Sequence, residues 1–208
     1  MRIGTGFLGV LCALLTFAFA GCAGVRATGE LQQGRRHLLY GDPKLAREHF
    51  QRAAEMEPNL SYFSLLPQGL WTYLGRAHYA AGNLGEARRA LERARAPHDS
   101  DFIARLYLGL VLAREGDRTR GLQEVEGGLR GAHDWLEFIS HNTTYGQYWD
   151  PAREIRTEIR TDLAMISSRN VDWPALIASG ERVGKKLEEE IDLSRRDETK
   201  DMKDSPNI

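Results

Sequence analysis

The sequence predicts an all-α fold of stacked helix hairpins, on three observations. Apolar and small residues recur with the three-to-four spacing of helices and not with the alternation of strands. Short Gly-containing turns, Gly41-Asp42, Gly82-Asn83 and Gly116-Asp117, separate these helical runs. The same order of residues also returns along the chain, with Gly75 and Gly109 34 residues apart. At 208 residues, 42% hydrophobic and 27% charged, the chain has ordinary globular composition and length for one cored domain. A net charge of −1 gives no general reason to expect nucleic acid as a partner.

The N-terminus reads as a targeting segment. Met1-Arg2 is a positive n-region, Ile3 to Ala20 is almost wholly apolar, and Gly21-Cys22-Ala23-Gly24 follows. Two cleavage readings compete. Ala18-Phe19-Ala20 has the A-x-A form of an ordinary signal-peptidase site, whose use would give a soluble periplasmic protein. Phe19-Ala20-Gly21-Cys22 resembles the bacterial lipobox, with Phe where Leu is usual, and this is the preferred reading. An uncleaved anchor is the third, since the run is near the minimum length of a membrane span. Only Cys12 and Cys22 occur, and Cys12 lies in the part to be removed, so the mature domain is expected to have no disulfide and no thiolate metal site. Resemblance to bacterial lipoproteins implies a diacylglycerol thioether on Cys22 plus an amide-linked chain, and two or more chains anchor stably. Ala23 in place of Asp implies sorting to the outer membrane. The expected organisation begins with a signal peptide over 1–21 and a lipidated linker over 22–26.

Residues 68–101 hold the clearest hairpin. Trp71, Leu74, Gly75 and His78 share one helical face, Ala87, Leu91 and Ala94 another, and Ala81 to Gly85 form the turn between them. Gly82 suits the left-handed end of the first helix and Asn83 the cap of the next. Gly75 and Ala87 sit where antiparallel helices approach closest. Upstream, Gly34-x₂-His37, Gly41-Asp42, Ala46-x₃-Phe50, Ala53 and Pro58 repeat this order over 27–60. Downstream, Leu108-Gly109-x₂-Leu112, Gly116-Asp117 and Gly121-x₃-Val125 repeat it over 102–135. The surplus between the first two copies, Asn59 to Pro67, reads as a loop or a lengthened helix.

These residues resemble the tetratricopeptide repeat, whose pattern is W-x₂-L-G-x₂-Y, A-x₃-F and Pro over about 34 residues. Trp71-x₂-Leu74-Gly75-x₂-His78 and Ala87-x₃-Leu91 match it, with His for Tyr, Leu for Phe, and Pro97 two residues early. The resemblance implies a TPR-type α-solenoid of three hairpins over 27–135 with a C-terminal helical cap. It also implies that the first helix of each hairpin lines a concave groove, presenting Arg35, Leu38 and Leu39, then Arg76 and Tyr79, then Leu110 and Arg114. From Arg26 to His133 there are 16 basic and 13 acidic residues, a local charge of +3, with Lys44 the single lysine. Arginine forks pair bidentately with carboxylates, so an acidic peptide or protein is the candidate ligand. The alternative for Leu38, Leu39 and Leu110 is packing between hairpins.

The third copy carries Gly121, Gly127, Gly128 and Gly131 in its second helix, and an interior Gly costs about 1 kcal/mol against Ala. The following segment is expected to support it, as the cap over 136–193. Trp135, Phe138, Tyr145, Tyr148 and Trp149 open that segment, as a core joint or an exposed patch, with the core favoured. Asp150-Pro151 is expected to start one helix, with Ile155, Ile159, Leu163 and Ile166 on its face. Asp172-Trp173-Pro174 is expected to start another, bearing Trp173, Ile177, Gly180, Gly184, Leu187 and Ile191. Gly180 and Gly184 allow either a close helix approach or nothing in particular. Residues 194–208 read as a charged, solvated, disordered tail. From Asp134 onward, 11 basic and 16 acidic residues give −5, which makes pairing of this end with the groove conceivable.

His133, Glu137 and His141 are the best metal candidate, but their four-residue steps span about 12 Å, too far for bonds of about 2 Å to one ion. No nucleophile elbow, P-loop, H-E-x-x-H or Rossmann fingerprint occurs. No catalytic residue, metal or cofactor is therefore expected. The expected function is an outer-membrane-anchored periplasmic scaffold or adaptor for another envelope protein, lipid-held through Cys22. The alternative is an adaptor of a periplasmic cell-wall hydrolase, or such a hydrolase itself.

Overall fold

The computed structural model describes residues 24–60, 66–95, 100–168 and 170–204, and these are organised as helices. The leader and both cysteines, with Cys22 as the expected lipidation site, lie outside the described residues. In order come α1 (24–39), α2 (Pro43–Met56), α3 (Leu70–Ala80), α4 (Leu84–Arg95), α5 (Phe102–Glu115) and α6 (Arg118–Asn142). A 3₁₀ turn (Gly146–Tyr148), α7 (Glu154–Ile166) and α8 (Trp173–Asp204) complete the chain. No helix among the described residues is long and apolar enough to cross a membrane.

The three hairpins α1/α2, α3/α4 and α5/α6 are built by one device used three times. Each first helix ends at a glycine in the left-handed region, Gly41 (φ 83°), Gly82 (79°) and Gly116 (96°). The next residue's N–H then reaches five residues back: Asp42 to His37 O (2.8 Å), Asn83 to His78 O (2.9 Å) and Asp117 to Leu112 O (2.9 Å). That bond satisfies a helix-end carbonyl, which is what the left-handed cap is for. Asp42 and Asp117 then cap the second helices through Leu45 N (3.0 Å) and Arg120 N (3.2 Å).

Within each hairpin the small residue of the first helix receives the large residue of the second. A Cβ on Gly34 would lie 2.5 Å from the Phe50 ring, on Gly75 2.5 Å from Leu91 Cγ, and on Gly109 2.5 Å from Val125 N. The α5/α6 pair is the tightest, because α6 contributes small residues too. A Cβ on Gly121 would lie 2.9 Å from Ala113 N, on Gly128 2.5 Å from Leu106 N, and on Gly131 2.6 Å from Phe102 Cβ. The glycines of α6 pack on α5, while Leu129, Ala132 and Leu136 of the same helix share a core with Ile155 and Ile159 of α7, in the segment expected to support it. The propensity cost of Gly121 and Gly128 is offset by backbone-to-backbone packing.

Two cores result. Leu31, Phe50, Leu70, Tyr73 and Leu74 lie in one, between α1 and α4. The larger joins α5 and α6 to α7 and α8, with Leu106, Leu110, Leu129, Leu136, Ile159, Val183, Leu187 and Ile191. Trp149 is buried there and Trp135 packs on it edge-on at 4.8 Å, whereas Phe138 and Tyr145 are 60% and 44% exposed. The aromatic run is therefore part joint and part surface.

Four boundaries differ from expectation. α1 is already helical at Gly24, so the last three residues of the 22–26 linker belong to it. α6 passes residue 135 and runs to Asn142. α7 starts at Glu154, not at Asp150-Pro151: Asp150 takes φ 47° and folds its carboxylate over Ile155 N (3.0 Å) and Arg156 N (3.1 Å), capping the helix from four residues out. α8 continues to Asp204, so most of the expected tail is helix. Good helix formers such as Arg195, Arg196, Glu198, Lys200 and Met202 extend it without an apolar stripe.

Candidate functional site: the inner face of the hairpins

α8 lies across the first helices of all three hairpins. Its opening is set by Asp172, whose carboxylate accepts Ala175 N at 3.1 Å, and α7 packs beside it. At its middle, Glu188 is fully buried and takes both inner-face arginines of the first two hairpins. Arg35 Nε donates to Oε1 at 2.5 Å and Arg76 Nη1 to Oε2 at 2.6 Å. Tyr73 donates its hydroxyl to Oε1 (3.0 Å) and Gln68 its amide to Oε2 (2.8 Å). Arg76 also donates to Gln68 Oε1 (3.0 Å) and Gly184 O (3.1 Å), and its guanidinium lies 5.1 Å from the Tyr107 ring centre.

The charges in this cluster are set by burial and by one another. Burial pushes the Glu188 carboxyl up, but Arg76 and Arg35 outweigh it and hold it below its ordinary value. Burial, then the Glu188 charge, pushes the Tyr73 hydroxyl well above its ordinary value. Glu188 is therefore ionised and Tyr73 is a neutral donor. Burial opposes the charge of Arg76, but its contacts with the Tyr107 ring and the Glu188 carboxylate more than compensate and hold it protonated.

Two turns earlier on α8, Glu181 Oε1 accepts from Tyr79 Oη and from Arg114 Nη2, each at 2.6 Å. Arg114 stacks 4.4 Å from the Tyr79 ring centre. Leu110 is fully buried, and a Cβ on Gly180 would lie 3.1 Å from its Cδ2. Arg35, Arg76, Tyr79, Leu110 and Arg114 thus all face α8. Leu38 and Leu39 are half-buried and line a cavity of about 270 Å³ with Tyr79, Arg114, Glu181 and Lys185. A second cavity, of about 330 Å³, adjoins it at Leu39 and is lined by Gln32, Arg35, Arg36, Tyr40 and Asp192. The groove of the first helices is filled by α8 over α3 and α5 and stays partly open along α1.

Sequence reasoning missed Glu181, Glu188, Gln68 and Tyr73. The signal for Glu188 was present: Gly180, Gly184, Glu188 and Asp192 are four apart, hence on one side of α8. Glu137 does not stand with His133 and His141 as a ligand set. Its carboxylate is taken by Arg153, lies 3.6 Å from Arg156 Nη1 and comes no nearer than 3.8 Å to His141 Nδ1, which contacts Glu137 O at 2.7 Å. Among the described residues, no group of three or more His, Cys, Asp or Glu is placed to hold a metal ion.

A TPR repeat-containing protein of Pseudomonas aeruginosa is 40% identical to this chain over 89 residues, covering 42% of this chain and 77% of the relative. The chain is a tetratricopeptide-repeat protein. The assignment accords with the thrice-used turn and with the paired small and large positions of each hairpin. No family model matches the chain, and no solved structure matches it. In this tetratricopeptide-repeat protein the all-α solenoid continues past its third hairpin into α7 and α8, and the last helix folds back over the inner face.

Proposed function

We propose that this tetratricopeptide-repeat protein is a non-enzymatic adaptor of the bacterial envelope, held at the periplasmic face of the outer membrane by lipid on Cys22 and binding an acidic segment of another envelope protein. The observation that carries the binding half of this reading is the convergence of Arg35 and Arg76 on one carboxylate. Two different hairpins supply these arginines, so the inner face as a unit is chemically a receptor for a helix bearing an acid. The cavities along α1 offer Arg36 and Lys185 to further acids, and half-buried Leu38 and Leu39 to apolar side chains. The anchoring half rests on the leader and on Phe19-Ala20-Gly21-Cys22.

Crosslinking in living cells followed by mass spectrometry tests both halves. Cys22→Ala is expected to move the protein from the outer-membrane fraction to the soluble periplasm. Arg36→Glu with Lys185→Glu, both at exposed positions beside the cavities, is expected to lose the crosslinked partner while keeping the fold. A partner retained by the double variant would refute an acid-binding inner face, and a membrane-bound Cys22→Ala protein would refute the lipid anchor.

A further inference from the structure

α8 meets the hairpins through residues spaced by four. The two glycines admit the hairpins closely, since a Cβ on Gly184 would lie 2.6 Å from the Tyr107 ring. Glu188 then fills the Arg35–Arg76 fork, and Asp192 lies 3.6 Å from Arg35. The seat reads a helix by pattern: two positions without side chains, then carboxylates.

The hold on α8 is uneven. Leu176, Val183, Leu187 and Ile191 belong to the core of α5, α6 and α7. Leu31 of α1 belongs to the other core. α1 and α8 therefore meet mainly through charge, and the two cavities lie along their seam. A buried ion pair selects register more than it adds stability, because its members are well solvated when apart. Interior glycines weaken α8 as a helix, and beyond Ser194 its side chains are largely exposed.

We propose that α8 is an exchangeable occupant of the groove. The part from Gly184 onward opens away from α1, and a partner's helix bearing a small residue where Gly184 sits, with a carboxylate four further on, takes the Arg35–Arg76 fork in its place. This deepens the adaptor reading and rests on it. Exchange strands no buried charge, because both arginines pass from one carboxylate to water or to another. Opening does expose Leu187 and Ile191, so the closed state dominates at rest, and the incoming helix has to supply equivalent apolar side chains.

Hydrogen exchange on the full wild-type chain is the first test. Local opening is expected to let amides of residues 184–204 exchange at least a hundredfold faster than those of α5, and equal protection overturns the gate. The second test titrates a labelled synthetic peptide of residues 173–204 onto the full chain and onto its Glu188→Gln variant, which keeps side-chain size and gives up the charge. The peptide is expected to bind the variant at least tenfold more tightly than wild type, and a peptide itself carrying Glu188→Gln is expected to lose that gain. Equal binding to both proteins, or indifference to the peptide's glutamate, overturns the proposal. If the variant fails to fold, exchange on the wild type decides alone. A partner captured in cells by a chain whose α8 is fully protected would remove the gate and leave the adaptor reading standing. A partner absent from cells while α8 opens freely would instead fall on the adaptor reading.

Discussion

Adding one methyl group at neighbouring positions of α6 is expected to have opposite effects. Gly127 and Gly128 are both interior helical residues, so replacing either with Ala brings about 1 kcal/mol of helix propensity. At Gly128 the new Cβ would lie 2.5 Å from Leu106 N and 2.6 Å from Leu106 Cα, and backbone in the middle of α5 has nowhere to go. Overpacking of this kind costs about 1–3 kcal/mol, and more where two helix backbones must separate. Gly128→Ala is therefore expected to be destabilising by about 1–2 kcal/mol net. At Gly127 the atoms nearest the new Cβ all belong to the Arg105 guanidinium. That side chain is 35% exposed and swings aside by giving up its 2.9 Å pair with Glu124, a partly exposed bridge of about 0–1 kcal/mol. Gly127→Ala is expected to be neutral or stabilising by up to about 1 kcal/mol. Urea unfolding measures both, read as a shift in midpoint at constant slope. If Gly128→Ala proves as stable as Gly127→Ala, the account of α6 as a helix held by backbone approach to α5 is wrong.

Three further outcomes are expected. Asp162 is buried on α7 with Oδ2 lacking a hydrogen-bond partner, and burial pushes its carboxyl above the ordinary value. The folded state thus binds the proton more tightly, stability falls as pH rises from the ordinary aspartate range through the raised value, and Asp162→Asn should stabilise at neutral pH by about 1 kcal/mol, with the gain vanishing in acid when unfolding is followed at several pH values. For His78, burial and then the Arg47 charge lower the imidazole below 6.5. Stability should be full above 6.5 and decline as pH falls toward the folded value, and thermal melts of His78→Gln should lack that decline. Asp101 joins two hairpins, capping α5 through Ala104 N (2.8 Å) while accepting Thr72 Oγ1 (2.5 Å) and Gly69 N (3.4 Å) at the start of α3. Asp101→Ala should cost about 2 kcal/mol, against a smaller loss for Asp101→Asn, which can still accept at the cap; chemical denaturation compares the two.

The hairpins were legible in the sequence because each depends on residues close together along the chain. A left-handed glycine, the residue after it, and a small residue facing a large one are local demands, and Gly82, Asn83, Gly75 and Leu91 meet them wherever the rest of the chain goes. The start of α8 at Asp172-Trp173-Pro174 was legible for the same reason. Asp150 was not, because its capping bonds skip four and five residues and need a positive φ that no spacing rule announces.

The site was half legible. Composition and resemblance pointed to Arg35, Arg76, Tyr79 and Arg114, but what these side chains meet is decided by residues more than 60 positions away, Glu188 and Glu181. A glutamate in an acidic helix looks in sequence like any other solvated charge. Glu188 becomes a buried partner only because α7 turns the chain back and lays α8 across three hairpins. Local chemistry in this protein determined the helices, their caps and the way they pair. Tertiary structure alone decided which helix fills the groove, since burial of a charge is settled by everything that surrounds it.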